Sequence, residues 1–249
     1  MDFSLSEEQA AIFDMARAFG ADRIAPNARQ WEADGTIPKS LWREIAELGF
    51  GGLNVSEDAG GAALGRLEST LVFEGLSHAC ASVAAFLSIH NMCARMLDEY
   101  ASDALKAEML PDVLSMNTIL SYCLTEPGSG SDAAALKTKA VRTNEGWQLS
   151  GTKAFISGGG YSDAYVVMAR SGDDGPRGIS AYVVKDGADG LSFGGLEQKM
   201  GWQSQPTRQV QMDACPVPSH QLLGEEGEGF KYAMAGLDGG RLNISACSL

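Results

Sequence analysis

Between Tyr122 and Asp132 the chain reads YCLTEPGSGSD: an apolar stretch, a break at Pro127, then Gly128 and Gly130 alternating with the hydroxyls of Ser129 and Ser131. These residue types at this spacing suit close contact with a ligand. A glycine has no Cβ to hold a ligand off the backbone. Hydroxyls beside open N–H groups offer donors to a phosphate or to the electron-rich edge of a ring. The same composition also makes ordinary turns. Gly128 to Ala133 fits a loose GxGxxA fingerprint, but that pattern signals a dinucleotide site only between a strand and a helix of a βαβ unit, and a hairpin follows here. No GxxxxGK[ST] occurs, so a P-loop is absent.

Other chemistry is poorly supplied. The three histidines, His78, His90 and His220, form no HxxxH or HxxE pair, so no metal site is expected. The five cysteines, Cys80, Cys93, Cys123, Cys215 and Cys247, are odd in number, widely spaced and without CxxC, which predicts reduced, mostly buried thiols. A net charge of −13 argues against nucleic acid or an anionic membrane as partner, while leaving room for a small anionic ligand held by local donors. No apolar run reaches membrane-spanning length, and the start MDFSLSEEQ lacks the basic-then-apolar pattern of an export signal. A cytoplasmic protein without membrane insertion is the expectation.

The elements that must position the motif divide into three blocks: a helical domain over residues 1–118, a β-domain over 119–224, and the start of a further helical domain over 225–249. Ser6 and Gln9 form a capping-box pattern before Ile12, Phe13, Ala16 and Phe19. Pro38 opens a helix over Leu41, Trp42, Ile45 and Leu48, and Gly49 stops it. A helix from about Ser82 to Tyr100 is apolar on most sides, which predicts burial or a pocket wall. Ser102 caps the next helix, in which Pro111 predicts a kink or a division. Beyond Thr118 the pattern changes to strands: Lys137–Arg142 and Trp147–Leu149 around a hairpin turn, then Ala154–Ser157, Tyr165–Arg170, Ile179–Val184 and Thr207–Asp213. The fold class is therefore α+β, with a small antiparallel β-barrel or sandwich after the helices. Helical pattern returns from Glu226 through Phe230, Met234, Leu237, Leu242 and Ile244, and reads as the first helix of a C-terminal bundle that the chain lacks.

This order of blocks, with YCLTEPGSGSD at the first junction, resembles the acyl-CoA dehydrogenases. The resemblance covers essentially the whole chain. It rests on TEPGSGSD, on KAFISGG at Lys153–Gly159, on Lys199-Met200-Gly201-Trp202 and on EGEGF at Glu226–Phe230. Within the family, Ser88–Met92, Gly201–Arg208 and Leu237–Ser248 look most like members that oxidise isobutyryl-CoA in valine catabolism.

The resemblance implies FAD between the β-domain and the C-terminal helices. The segment Tyr122, Cys123, Leu124, Thr125, Glu126, Pro127, Gly128, Ser129, Gly130 and Ser131 would carry it, with Thr125 and its neighbours at the pyrimidine edge. Phe155 and Ile156 would lie against the ring system and Ser157 would bond near N5. From the residues alone, Phe155 also reads as core packing, Ser157 as a strand-end turn, and Glu126 as a turn residue more readily than an acid catalyst. Ser131 would touch the CoA arm of the substrate, and Asp238, Gly239, Gly240 and Arg241 would bind it farther out. Without the family, Asp238 and Arg241 read as an exposed i,i+3 pair.

The implied reaction is α,β-dehydrogenation of a short branched acyl-CoA. Bulky residues such as Leu87, Ile89 and Met92 would shorten the acyl pocket. Electrons would pass to an electron-transfer flavoprotein, and the full-length protein would be a homotetramer. The family's base is a glutamate either in the C-terminal domain, beyond Leu249, or immediately before the arginine matching Arg241, where this chain has Gly240. No catalytic base is therefore expected within these residues. Two other readings stay open: a flavin oxidase or monooxygenase of the same fold, and a non-catalytic fragment that binds nucleotide or a partner.

Overall fold

A computed structural model describes residues 4–249. The first helix, α1 (Glu7–Phe19), begins where the sequence predicts. Ser6 Oγ accepts from the Gln9 amide at 3.2 Å while the Ser6 amide donates to Gln9 Oε1 at 3.0 Å, a complete capping box. Helical backbone does not end at Phe19. It passes through a π turn (Gly20–Ile24) into α2 (Ala25–Asp34) and stops at Gly35, whose φ of 68° ends it in the left-handed region. Next come α3 (Lys39–Glu47), capped by Pro38, then α4 (Arg66–Ser77), α5 (Ala81–Tyr100) and α6 (Asp103–Leu114).

The all-round apolar pattern of α5 is explained by its neighbours. It is packed by α4, α6, a later helix and the first strand. Ser102 Oγ caps α6 by accepting from the Leu105 amide at 3.3 Å. Pro111 does not divide α6. It lies in the last turns, where the missing N–H removes a single ladder bond.

The strands are β1 (Leu120–Cys123), β2 (Lys139–Arg142), β3 (Gly146–Ser157), β4 (Ala164–Arg170), β5 (Ile179–Lys185), β6 (Leu191–Phe193), β7 (Thr207–Pro218) and β8 (Leu222–Leu223). They form one eight-stranded sheet in the order β6-β7-β3-β2-β4-β5-β8, with β1 beside β4. The sheet is mixed, not antiparallel throughout as the sequence suggested. β1 runs parallel to β4 from Leu120↔Ala164 to Cys123↔Val167, and β2 meets β4 in parallel at Lys139↔Arg170. The physical reason is the crossover. The β2–β3 hairpin is inserted between β1 and β4, so the chain re-enters the sheet in its original direction.

Trp147–Leu149 and Ala154–Ser157, expected as separate strands, are parts of the single strand β3. Its register against β7 shifts between Leu149 and Gly151 and again between Lys153 and Ile156. β6 and β8, three and two residues long, are too short to show alternation in sequence. The last helix, α7 (Gly229–Ala246), packs on α4, α5 and β5. The cysteines are free, four of them buried and Cys80 half-buried. Among the described residues no helix is long and apolar enough to cross a membrane.

His90, at the centre of α5, ties the helices to the sheet. Its Nδ1 accepts from the Leu120 amide at 3.2 Å, so the proton sits on Nε2, which faces Gly51 O at 3.2 Å and Val113 O at 3.1 Å. Burial drives its pKa down to about 4, outweighing the Val113 and Gly51 carbonyls, which favour the charged ring. The unfolded chain therefore binds the extra proton first, and stability falls as pH drops from about 6.5 towards 4. Urea denaturation should show a loss of about 2 kcal/mol attributable to this residue between pH 7 and pH 5. The loss should vanish from the pH slope of His90→Gln. An identical slope in both proteins would refute this.

Candidate functional site

A cavity of about 420 Å³ opens where β1, the end of β3, α5 and α7 converge. Strand periodicity decides which part of the motif reaches it. Tyr122 and Leu124 point into the cavity, while Cys123, between them, points to the other face and is buried in the sheet core with Leu149 and Tyr165. The chain then makes a tight turn. The Glu126 amide donates to Ser129 O at 3.0 Å and the Ser129 amide donates back to Glu126 O at 3.1 Å, which carries Pro127 and Gly128 around the tip and away from the lining. Ser129 Oγ is occupied by Asp132 O at 2.6 Å. Gly130 and Ser131 return to the cavity beside Thr125. Of the ten residues read as one cofactor segment, Cys123, Glu126, Pro127, Gly128 and Ser129 thus lie outside the lining, and the other five are in it.

Glu126 stands at the turn, as local sequence suggested, but it is buried, which nothing near it in sequence indicates. It is 7% exposed and meets the ammonium of Lys153, itself 0% exposed, at 2.8 Å. Its other contacts are the amides of Lys137 at 2.6 Å and Thr138 at 2.9 Å. Burial alone would raise the Glu126 carboxyl. The Lys153 charge and the amide donors outweigh it and hold the group below the usual carboxylate range. It is an ionised structural carboxylate, fully engaged and turned from the cavity. The signal that could have found it is Lys153, a lysine directly before the apolar run Ala154-Phe155-Ile156 of β3.

Phe155 settles the opposite way. Core packing would bury it, yet it is 67% exposed and lines the cavity. It sits at the register shift of β3, with φ of 58°, a conformation uncommon for an aromatic residue. Strain of this kind is found where a side chain is aimed at a ligand. Ile156 and Ser157 follow it along the same wall. Ser157 O accepts from Ser121 Oγ at 2.5 Å, which anchors the end of the strand.

The helices complete the enclosure. Ser88, Ile89 and Met92 come from α5, and Met234, Leu237, Gly240, Arg241 and Ile244 from α7. Leu87, expected on this wall, is fully buried on the opposite side of α5 with Trp42 and Phe73. Arg241 reaches the lining and pairs with exposed Asp238 at 3.1 Å, while Asp238 itself stays outside. Gly239 faces Arg66, and a Cβ there would collide with that guanidinium. No Asp or Glu belongs to the lining among the described residues.

Gly130 provides the test of whether a ligand fits. A Cβ built on it meets no atom within 4 Å, and its φ is not in the left-handed region. Neither packing nor backbone strain demands glycine there. An open backbone edge, the hydroxyls of Thr125, Ser131 and Ser157, and an exposed aromatic ring together suit a large planar cofactor with polar edges.

Comparison with known proteins places related chains beside this one. Residues 6–117 match the family model of the acyl-CoA dehydrogenase N-terminal domain, and residues 121–215 that of the middle domain. The chain is 49% identical to the mitochondrial isobutyryl-CoA dehydrogenase of Bos taurus, covering 98% of this chain and 59% of that protein. The structure of butyryl-CoA dehydrogenase from Megasphaera elsdenii superposes with a TM-score of 0.93 at 34% identity, covering 99% of this chain and 66% of that one. That of PigA with FAD and proline superposes at 0.94 with 27% identity and the same coverage. The chain thus spans 59% of the length of the first relative and 66% of the two structures.

Proposed function

The chain belongs to the acyl-CoA dehydrogenase family, and on that premise we propose that at full length it is an FAD-dependent dehydrogenase of a short branched acyl-CoA such as isobutyryl-CoA. The observation that carries the reading is that exposed Phe155, on a left-handed bulge, and the open backbone of Gly130 line one cavity. Bound there, FAD would supply the acceptor for the hydride removed from the β-carbon. Thr125 and Ser157 hold its polar edges and Phe155 covers it. Ser131 and Arg241 bind the CoA arm; Arg241 is the only cation in the lining among the described residues. Ser88, Ile89 and Met92 close the acyl end.

With this reading goes a division of the chain into residues 1–118, 119–224 and 225–249, the last being the entry to a C-terminal helical domain. Electron-transfer flavoprotein as acceptor and a homotetrameric assembly belong to the same proposal.

The test is anaerobic titration of the full-length, FAD-loaded protein with acyl-CoA thioesters while the visible absorbance of the flavin is followed. A hydrophobic pocket discriminates differences the size of one methylene by only about 1–3 kcal/mol, and a change of branching at equal carbon number is no larger, so reduction should fall gradually from isobutyryl-CoA to its straight-chain isomer butyryl-CoA. Preference for chains of eight carbons or more would overturn the substrate assignment. Rapid aerobic turnover without an added acceptor would favour an oxidase.

A further inference from the structure

Lys153 is a fully buried lysine one residue from the bulge of β3. There the ladder with β7 is interrupted: it pairs Lys153 with Val210 and next pairs Ile156 with Arg208, so the two residues Ala154 and Phe155 stand against the single residue Gln209. The backbone at Ala154 is fastened to the loop after β1. The Ala154 amide donates to Thr125 O at 2.8 Å. Lys153 Nζ donates to Leu124 O at 3.1 Å and to Glu126 Oε1 at 2.8 Å. Glu126 in turn is held by the amides of Lys137 and Thr138.

We propose that the Lys153–Glu126 pair is a positioning tether that sets the separation of the two cofactor walls, Leu124–Thr125 and Phe155–Ser157, in place of the ladder bonds the bulge gives up. The proposal rests on the FAD reading above. A buried ion pair is a poor device for stability alone, since neutral residues of similar shape often replace such pairs without loss. This pair lies where both of its flanking segments line the cavity, and its carboxylate spans loop and strand at once. Neither residue touches the cavity, so the role is positioning.

The test uses the full-length protein as wild type, Lys153→Met, Glu126→Gln and the double variant. Flavin-free melting temperature and the FAD dissociation constant, from fluorescence quenching, are measured on each. Single substitutions leave a buried group unpaired, so both should lower the melting temperature. They should also weaken FAD binding by about 10–100-fold, as loss of a supporting contact behind a ligand site does. The double variant removes the unpaired charge and should recover melting temperature without recovering affinity. Recovery of both together, or wild-type affinity in Lys153→Met, would overturn the tether.

Hydrogen exchange on flavin-free protein, well below the transition, decides the matter even where the double variant stays unstable. Faster exchange confined to the Ala154 amide and its neighbours in 124–126 and 153–157 supports the tether. Uniform acceleration through the sheet refutes it. Wild-type protein that takes up no FAD would refute the cofactor reading, whereas wild type and variants binding FAD equally would refute the tether alone.

Discussion

The 249-residue chain, mixed with FAD and isobutyryl-CoA without oxygen, should leave the flavin's visible absorbance unbleached. Removing the α-proton of a thioester requires a base within hydrogen-bond reach, and no carboxylate lines the cavity among the described residues. Losing a positioned base lowers the rate by about 10²–10⁴ even with everything else in place. Gly240 is the position at which the chain could acquire one. It lines the cavity, and a Cβ there meets only Met92 Sδ at 3.4 Å, the flexible end of a thioether. In a full-length protein whose downstream glutamate base has been removed, Gly240→Glu should therefore restore part of the activity. Prompt bleaching by the 249-residue chain would sink the idea, and no gain from Gly240→Glu would argue against its proximity to the reacting carbon.

Gly130→Val should weaken flavin retention in the full-length protein while leaving the fold intact. The two halves of this expectation have separate causes. Nothing lies within 4 Å of a Cβ at Gly130 and its backbone is in an ordinary region, so valine adds no internal clash. The added bulk projects into space a bound cofactor needs. A loss of about 100-fold in FAD affinity, close to 3 kcal/mol, is expected with the melting temperature of the flavin-free protein unchanged. Protein purified with its normal flavin content would count strongly against this site.

Much of the scaffold was legible because its signals are local. A capping box, a proline at a helix start, a glycine at a helix end and a hairpin turn are each decided within four or five residues, and Ser6, Pro38, Gly49 and the Thr143–Gly146 turn behave accordingly. α2 escaped notice because it buries no residue and so carries no apolar stripe. The motif at Tyr122–Asp132 was legible as a unit, but its inner division was not. That division depends on which strand face meets the helices and on a turn closed by Glu126 and Ser129.

The residues that matter most at the site were decided by partners far along the chain. Local sequence makes Glu126 a turn residue; Lys153, 27 positions on, makes it a buried ion. Apolar character makes Phe155 a core residue; the register shift against β7 turns it out into the cavity. Leu87 and Met92 look alike as bulky members of one helix, and only the packing on either side of α5 sends the first into the helical core and the second to the cavity. The sequence alone determined most of the helix and strand segments, because hydrogen bonds and periodicity act between near neighbours. The tertiary structure decided burial, charge pairing and the direction of each side chain, because those depend on surfaces brought together from opposite ends of the chain.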